Sequence, residues 1–294
     1  MHASASAPTP GTTPGTVAEI EREARETVRP ARPWIEGLGR FGYAAKGVVF
    51  LVIGALAVQA ALGRGGATTD QQGALARVAG APFGRSLLVV LAAGLLGYAL
   101  WNVVRGALNA DRKEANLKGW TTRAATIAVG CIYGGLAYSA MRIAMGAGGS
   151  RGSTQRTQDW TAWLMGQPFG VWIVGAVGIG VVGGGLYQLW KGLGSNVCAG
   201  LDCGSPGSGQ RTWIERLGRL GYAARGVAFV TIGSLLVLAA VHHNPSEAQG
   251  LDGALATLAG QPFGPYLLGL VAAGLAAFGL FAIVEARYRR MVVC

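Results

Sequence analysis

The chain has 294 residues, 51% of them hydrophobic and only 13% charged, with a formal net charge of +11. Average soluble domains carry about 25% charged residues, so this composition argues against a water-soluble globule, and the mean hydropathy of +0.38 agrees. The cations flank apolar runs and form no patch, which argues against a nucleic-acid partner.

Residues 1–33 read as a cytoplasmic N-terminal segment. Residues 1–16 are Ala, Ser, Thr, Pro and Gly apart from Met1 and His2, a composition that does not pack. The stretch VAEIEREARETVR that follows predicts a short surface helix. No apolar core of a signal peptide is present, so the first span is expected to stay in the mature protein.

Six apolar runs come next: Val48–Leu62, Ser86–Val104, Ala124–Met141, Gln167–Trp190, a shorter Gly226–Val241, and Phe263–Val284. A bilayer core of about 30 Å takes about 20 helical residues. The runs are continuous and do not alternate, so they predict helices and not a barrel. Assigning alternate flanks to alternate sides puts 19 of the 25 Lys and Arg residues on one side. The positive-inside rule then places both termini in the cytoplasm.

GRFGYAAKGVVF at Gly39 is spelled again as GRLGYAARGVAF at Gly218. Residues 34–54 and 213–233 agree at fifteen of twenty-one positions, and GALARVAGAPFG at Gly73 returns as GALATLAGQPFG at Gly253. A weaker copy lies between them, with GQPFG at Gly166 and with Arg123 and Gly130 standing where Arg40 and Gly47 do. The expected organisation is repeat 1 over 34–111, a divergent repeat 2 over 112–192, a Gly/Ser linker over 193–212, and repeat 3 with a basic tail over 213–294. Each repeat holds two spans, so the copies run parallel. Such copies are related by an axis along the membrane normal. The predicted fold is an all-α integral membrane protein of six transmembrane helices, built as three parallel two-helix repeats in a pseudo-threefold bundle.

Each unit begins with an interfacial anchor, Trp34 or Trp213, and a basic-aromatic face: Arg40, Tyr43 and Lys46 in repeat 1, Arg219, Tyr222 and Arg225 in repeat 3. Long basic side chains can snorkel to anionic headgroups, so these six are candidate contacts for lipid or a protein partner. The outer loop predicts a short helix capped by Asp252, with Asp70 and Asp159 as near-equivalents. It is followed by Pro82, Pro168 or Pro262 in a first helical turn. Inside the spans, Gly130/Gly134 and Gly180/Gly184 form G-x-x-x-G pairs, and Gly94 and Gly97 add a small face. Cys131 reads as a small apolar packing residue.

Twenty-three residues beyond each of those prolines stand Arg105, Lys191 and Glu285, candidates for a cytoplasmic rim in which Glu285 pairs with a cation. Asn102 and Gln188 lie one turn deeper and could bond across helices or line a lumen. No motif for a nucleophile, paired carboxylates, a phosphate loop or a zinc helix appears. Cys198 and Cys203 lack a second pair, and His242 and His243 lack a third ligand. The chain therefore reads as no enzyme, with no cofactor and no metal.

The G-R-x-G-Y-A-A-[KR]-G-V segment and the G-A-L…G-x-P-F-G loop resemble the bacterial family called "domain of unknown function 1206". That resemblance implies three copies of a two-span unit over about residues 34–290 and supplies no activity. Repeat 2 departs from it, with Thr126 where Tyr43 stands and Val129 where Lys46 stands. The leading expectation is a non-enzymatic component of the bacterial inner membrane that binds lipid, anionic lipid among the candidates, or a protein partner. The rival is a channel or carrier for a small solute along the pseudo-threefold axis.

Overall fold

A computed structural model of the chain describes residues 32–107, 117–147, 152–194 and 208–288, with side chains from Gly37, Gly119 and Thr212 onward in the first, second and fourth stretches. The N-terminal tail with its surface helix, the Trp34 side chain, Cys198, Cys203 and Cys294 lie outside the described residues. Nine α-helices are present among them: α1 (Arg32–Ala61), α2 (Gln71–Ala79), α3 (Gly84–Ala107), α4 (Leu117–Ala144), α5 (Ser153–Met165), α6 (Gly170–Leu193), α7 (Ser208–Val241), α8 (Leu251–Ala259) and α9 (Gly264–Tyr288). Six of them contain stretches long and apolar enough to cross a membrane: Gly37–Ala61, Gly84–Ala107, Gly119–Ala144, Gly170–Leu193, Thr212–Val241 and Gly264–Tyr288. The fifth, expected short, has 30 residues. Counting apolar residues had cut it at Arg225, but the helix runs straight through.

The Pro-Phe-Gly loops adopt one shape three times. The Gly84 amide donates to Ala81 O at 2.8 Å, Gly170 to Gln167 O at 2.9 Å and Gly264 to Gln261 O at 2.7 Å. Phe83, Phe169 and Phe263 take φ of 60°, 62° and 62°. Proline first and a left-handed residue second define a type II turn. The prolines therefore sit in the turn before the helix, not in its first turn as expected. A phenylalanine in the left-handed region costs about 1 kcal/mol, and all three rings are exposed, Phe83 at 89%. Exposed aromatics at span ends suit the membrane interface. The glycines after them are fixed by sterics, since a Cβ on Gly84 would strike the carbonyl oxygens of Val78 and Ala79. Gly84→Ala is expected to destabilise the protein by about 2 kcal/mol or more, read as a lowered unfolding midpoint in detergent.

The order in which the spans pack is cyclic. The second span of each repeat lies on the first span of the next: α3 on α4, α6 on α7, and α9 back on α1. This is the packing rule of a pseudo-threefold bundle. Its hinge is one glycine per copy. A Cβ on Gly47 would stand 2.6 Å from Gly279 O, one on Gly130 2.9 Å from Ala99 O, and one on Gly226 2.9 Å from Gly185 O. Within repeats the symmetry breaks. The pairs α1–α3 and α7–α9 pack closely, whereas α4 and α6 hardly touch.

At the end of the bundle opposite the termini, the short helices join all three repeats. Asp70 caps α2, accepting from the Gly73 amide at 2.8 Å, and its other oxygen accepts from Arg156 of α5 at 3.1 Å. Asp252 does not cap its own helix, whose N-cap is Gly250. Its Oδ1 accepts from Ser153 Oγ at 2.7 Å, and from Thr154 N at 3.0 Å and Thr154 Oγ1 at 2.7 Å, so it caps α5 across a repeat boundary. Asp159 is not an N-cap; it lies within α5, whose N-cap is Gly152, and accepts from Gln155. Burial pushes the Asp70 carboxyl up, with the Asp252 charge adding and the Gly73 amide and Arg156 opposing. Burial also acts upward on Asp252, but the bonds from Thr154 and Ser153 outweigh it and hold that carboxyl below 3.8. A folded-state value below the unfolded one stabilises at neutral pH, and the effect fades as pH falls through the folded value. Asp252→Ala should therefore cost about 2 kcal/mol at neutral pH and less in acid, read from unfolding midpoints across a pH series.

Candidate functional site

The face of α1 that meets α3 carries Gly42, Tyr43, Ala45 and Lys46. A Cβ on Gly42 would lie 2.5 Å from Tyr98 N, and one on Gly94 would lie 2.5 Å from Ala45 Cβ, so the backbones are drawn close. Tyr43 packs edge-on against Tyr98, ring centroids 4.9 Å apart. Lys46 Nζ then donates to Tyr98 Oη at 3.2 Å. It lies 4.9 Å from the Tyr98 ring centroid, 5.6 Å from that of Tyr43, 5.9 Å from Tyr133 of α4 and 5.0 Å from Phe278 of α9.

Repeat 3 builds the same device. A Cβ on Gly221 would stand 2.6 Å from Phe278 Cα. Tyr222 meets Phe278 edge-on at 5.8 Å. The Arg225 guanidinium lies 4.5 Å from the Phe278 ring centroid, 5.5 Å from Phe50 and 5.2 Å from Phe229. One ring, Phe278, is thus shared by a cation from each of two repeats. Lys46 is only 6% exposed. No carboxylate is hydrogen-bonded to Lys46 or Arg225 among the described residues, although Glu285 lies within electrostatic reach of Lys46. Desolvated cation–π contacts are worth about 2 kcal/mol each.

Repeat 2 keeps Ala128 and Gly180 where repeat 1 has Ala45 and Gly94 but lacks the close-approach glycine, the tyrosine, the cation and the partner ring. Ala125 stands where Gly42 and Gly221 stand, Thr126 where the tyrosines stand, Val129 where the cations stand. Sixteen residues after the loop proline, where repeat 1 has Tyr98 (82 + 16) and repeat 3 has Phe278 (262 + 16), repeat 2 has Gly184 (168 + 16). The separation of α4 from α6 follows. The methyl of Ala125 bars close approach, and neither ring nor cation is present to reward it.

The expected residues fall out differently from their sequence reading. Tyr43 is 2% and Lys46 6% exposed, so neither faces lipid from the bundle surface, correcting the expectation that Lys46 snorkels outward. Arg40 is exposed, while Arg219, Tyr222 and Arg225 are half-buried. Asn102 is buried and donates to Tyr98 O of its own helix at 2.7 Å, not across helices. Gln188 is half-buried on α6. At the rim, Lys191 Nζ lies 4.1 Å from the Tyr222 ring centroid, Arg105 is half-buried, and Glu285 is buried near Lys46. Cys131 is exposed, not packed. Gly130 packs as expected, whereas Gly180 and Gly184 meet nothing within 4 Å. Gly178 and Gly185 form the packed face of α6 instead. Tyr98, Tyr133, Phe50 and Phe278 were missed by sequence reasoning. The repeat arithmetic pairs Tyr98 with Phe278, and that was the available signal.

Six spans in three parallel hairpins around a cationic, aromatic centre define a multi-pass helical membrane protein. The family described as Domain of Unknown Function (DUF1206) matches residues 41–123, 124–194 and 220–289. The chain belongs to that family. It is similar to a Bacillus subtilis (strain 168) protein named "Uncharacterized protein YxxB", 32% identical over 275 residues that cover 94% of this chain and 98% of the relative. No solved structure matches the chain.

Proposed function

We propose that this chain is a non-enzymatic protein of the bacterial inner membrane, both ends cytoplasmic, that binds an anionic lipid at the Lys46–Arg225 centre. One observation carries the reading: two cations within the spans share aromatic neighbours and have no hydrogen-bonded carboxylate among the described residues. Lys46 lies 15 residues from the outer end of its span (61 − 46) and Arg225 lies 16 (241 − 225), about 22 and 24 Å at 1.5 Å per residue. A core of about 30 Å contains both, towards its cytoplasmic side. An ionisable residue at such depth marks a functional site by default, and a phosphate headgroup supplies an anion that Arg225 can hydrogen-bond. The burial of Asn102 supports binding over conduction along the axis.

The test is native mass spectrometry of protein purified with phosphatidylglycerol and phosphatidylcholine. Wild type should retain phosphatidylglycerol preferentially. The double variant Lys46→Met/Arg225→Met, which keeps apolar bulk, should lose that preference at least tenfold. An unchanged preference would overturn the reading.

A further inference from the structure

We infer that the lipid reaches this centre sideways, through the cleft between α4 and α6, and that its acyl chain rests in that cleft. The inference rests on the proposed anionic-lipid reading and adds the route and the second half of the site.

The cleft is a packing face left empty. In repeat 1 the contact between the two spans is made by Gly42, Ala45, Gly94 and Tyr98. Their counterparts in repeat 2 are Ala125, Ala128, Gly180 and Gly184, and all four are exposed. Gly180, Gly183 and Gly184 have no atom within 4 Å of a built Cβ. Exposed Ala and Gly therefore stand on both helices where their repeat 1 counterparts pack, and small side chains there leave space for a hydrocarbon chain.

The inner end of the cleft leads to charge. Tyr133 of α4 lies beside Lys46. Tyr222 lies beside Lys191 of α6, and both it and Arg225 are half-exposed, not sealed. The outer end is roofed by α5, which links α4 to α6 and whose first turn bonds both Asp70 of repeat 1 and Asp252 of repeat 3. From the outer side a water-soluble anion would have to pass that roof or cross apolar walls. A molecule already in the bilayer needs neither, and it presents the two chemistries the site offers: an anionic head for Arg225 and a chain for the Ala/Gly walls. The occupant is an anionic phospholipid from the surrounding leaflet.

The experiment fills the cleft and leaves the cations in place. Gly184→Trp is compared with wild type and with Leu270→Trp, which adds the same bulk on an exposed face of α9. Phosphatidylglycerol retention is read on full-length protein whose unfolding midpoint is recorded alongside. Gly184→Trp should reduce retention at least fivefold, with Leu270→Trp unchanged. If Gly184→Trp does not fold, Ala128→Leu on the opposite wall gives the same reading. Full retention in a folded, filled cleft would overturn the lateral site. The cation variants would still lose lipid in that case, so the two readings fail separately. Binding of soluble glycerol phosphate in place of phosphatidylglycerol, untouched by Gly184→Trp, would also overturn it. So would a dimer that this substitution dissociates, since the cleft would then seat a second copy.

Discussion

Gly47→Leu should leave almost no folded protein in detergent, and Gly47→Ala should already cost about 3 kcal/mol. Gly47 is where α1 meets α9 and the ring closes. A Cβ there would lie 2.6 Å from Gly279 O and 2.7 Å from Ile283 Cγ1. The reverse contact is as tight, because a Cβ on Gly279 would stand 2.7 Å from Gly47 O. The Ile283 side chain can shift, but the Gly279 carbonyl and, at 3.1 Å, the Ile283 amide nitrogen are backbone, so full relief requires the spans to part. Overpacking a close interface costs about 1–3 kcal/mol even where side chains can shift. Spans in lipid have no hydrophobic effect to restore their packing. Gly135→Ala is the control. Nothing lies within 4 Å of its built Cβ, and replacing an exposed helical glycine by alanine gains about 0.5–1 kcal/mol. Unfolding midpoints followed by tryptophan fluorescence should move in opposite directions for the two alanine variants.

The second expected result concerns repeat 2. Grafting the parts of repeat 1 into it, as Ala125→Gly, Thr126→Tyr, Val129→Lys and Gly184→Tyr, should draw α4 onto α6. The graft restores a close backbone approach, one edge-on aromatic pair worth about 1 kcal/mol, and one cation–π contact of about 2 kcal/mol where desolvated. Spin labels at Ala124 and Leu186 should move closer in the graft than in wild type, and phosphatidylglycerol retention should fall as the cleft closes. Labels that do not approach would mean that the spans of repeat 2 are held apart by something other than the loss of these four residues.

Much of this architecture was legible in the sequence. The apolar runs gave six spans, and the GRxGYAA[KR]GV repetition gave three parallel units. The glycine at 47, 130 and 226 was visible as a repeated position. The direction in which Lys46 faces was not legible. A lysine near a span end has the same sequence signature whether it reaches outward to headgroups or inward to rings, and only the partners Tyr98, Tyr133 and Phe278 decide it. The G-x-x-x-G spacing misled at Gly180 and Gly184, because α6 packs along the seven-residue row of Gly178 and Gly185. Asp252 misled for a similar reason. Its position fits a cap for the helix it begins, but its carboxylate reaches a neighbouring repeat, and no local spacing encodes that. The departures at Thr126 and Val129 were readable as divergence. Their consequence, a hairpin that does not close, required knowing that those positions face the partner span.

Pulsed electron resonance on three equivalent label pairs in nanodiscs tests the central claim most directly. Phe41 with Leu100, Ala124 with Leu186, and Leu220 with Leu280 occupy matching places in the three repeats, and all six side chains are exposed. A threefold bundle open in its second repeat predicts similar distances for the first and third pairs and a clearly longer one for Ala124–Leu186. Three equal distances would contradict it.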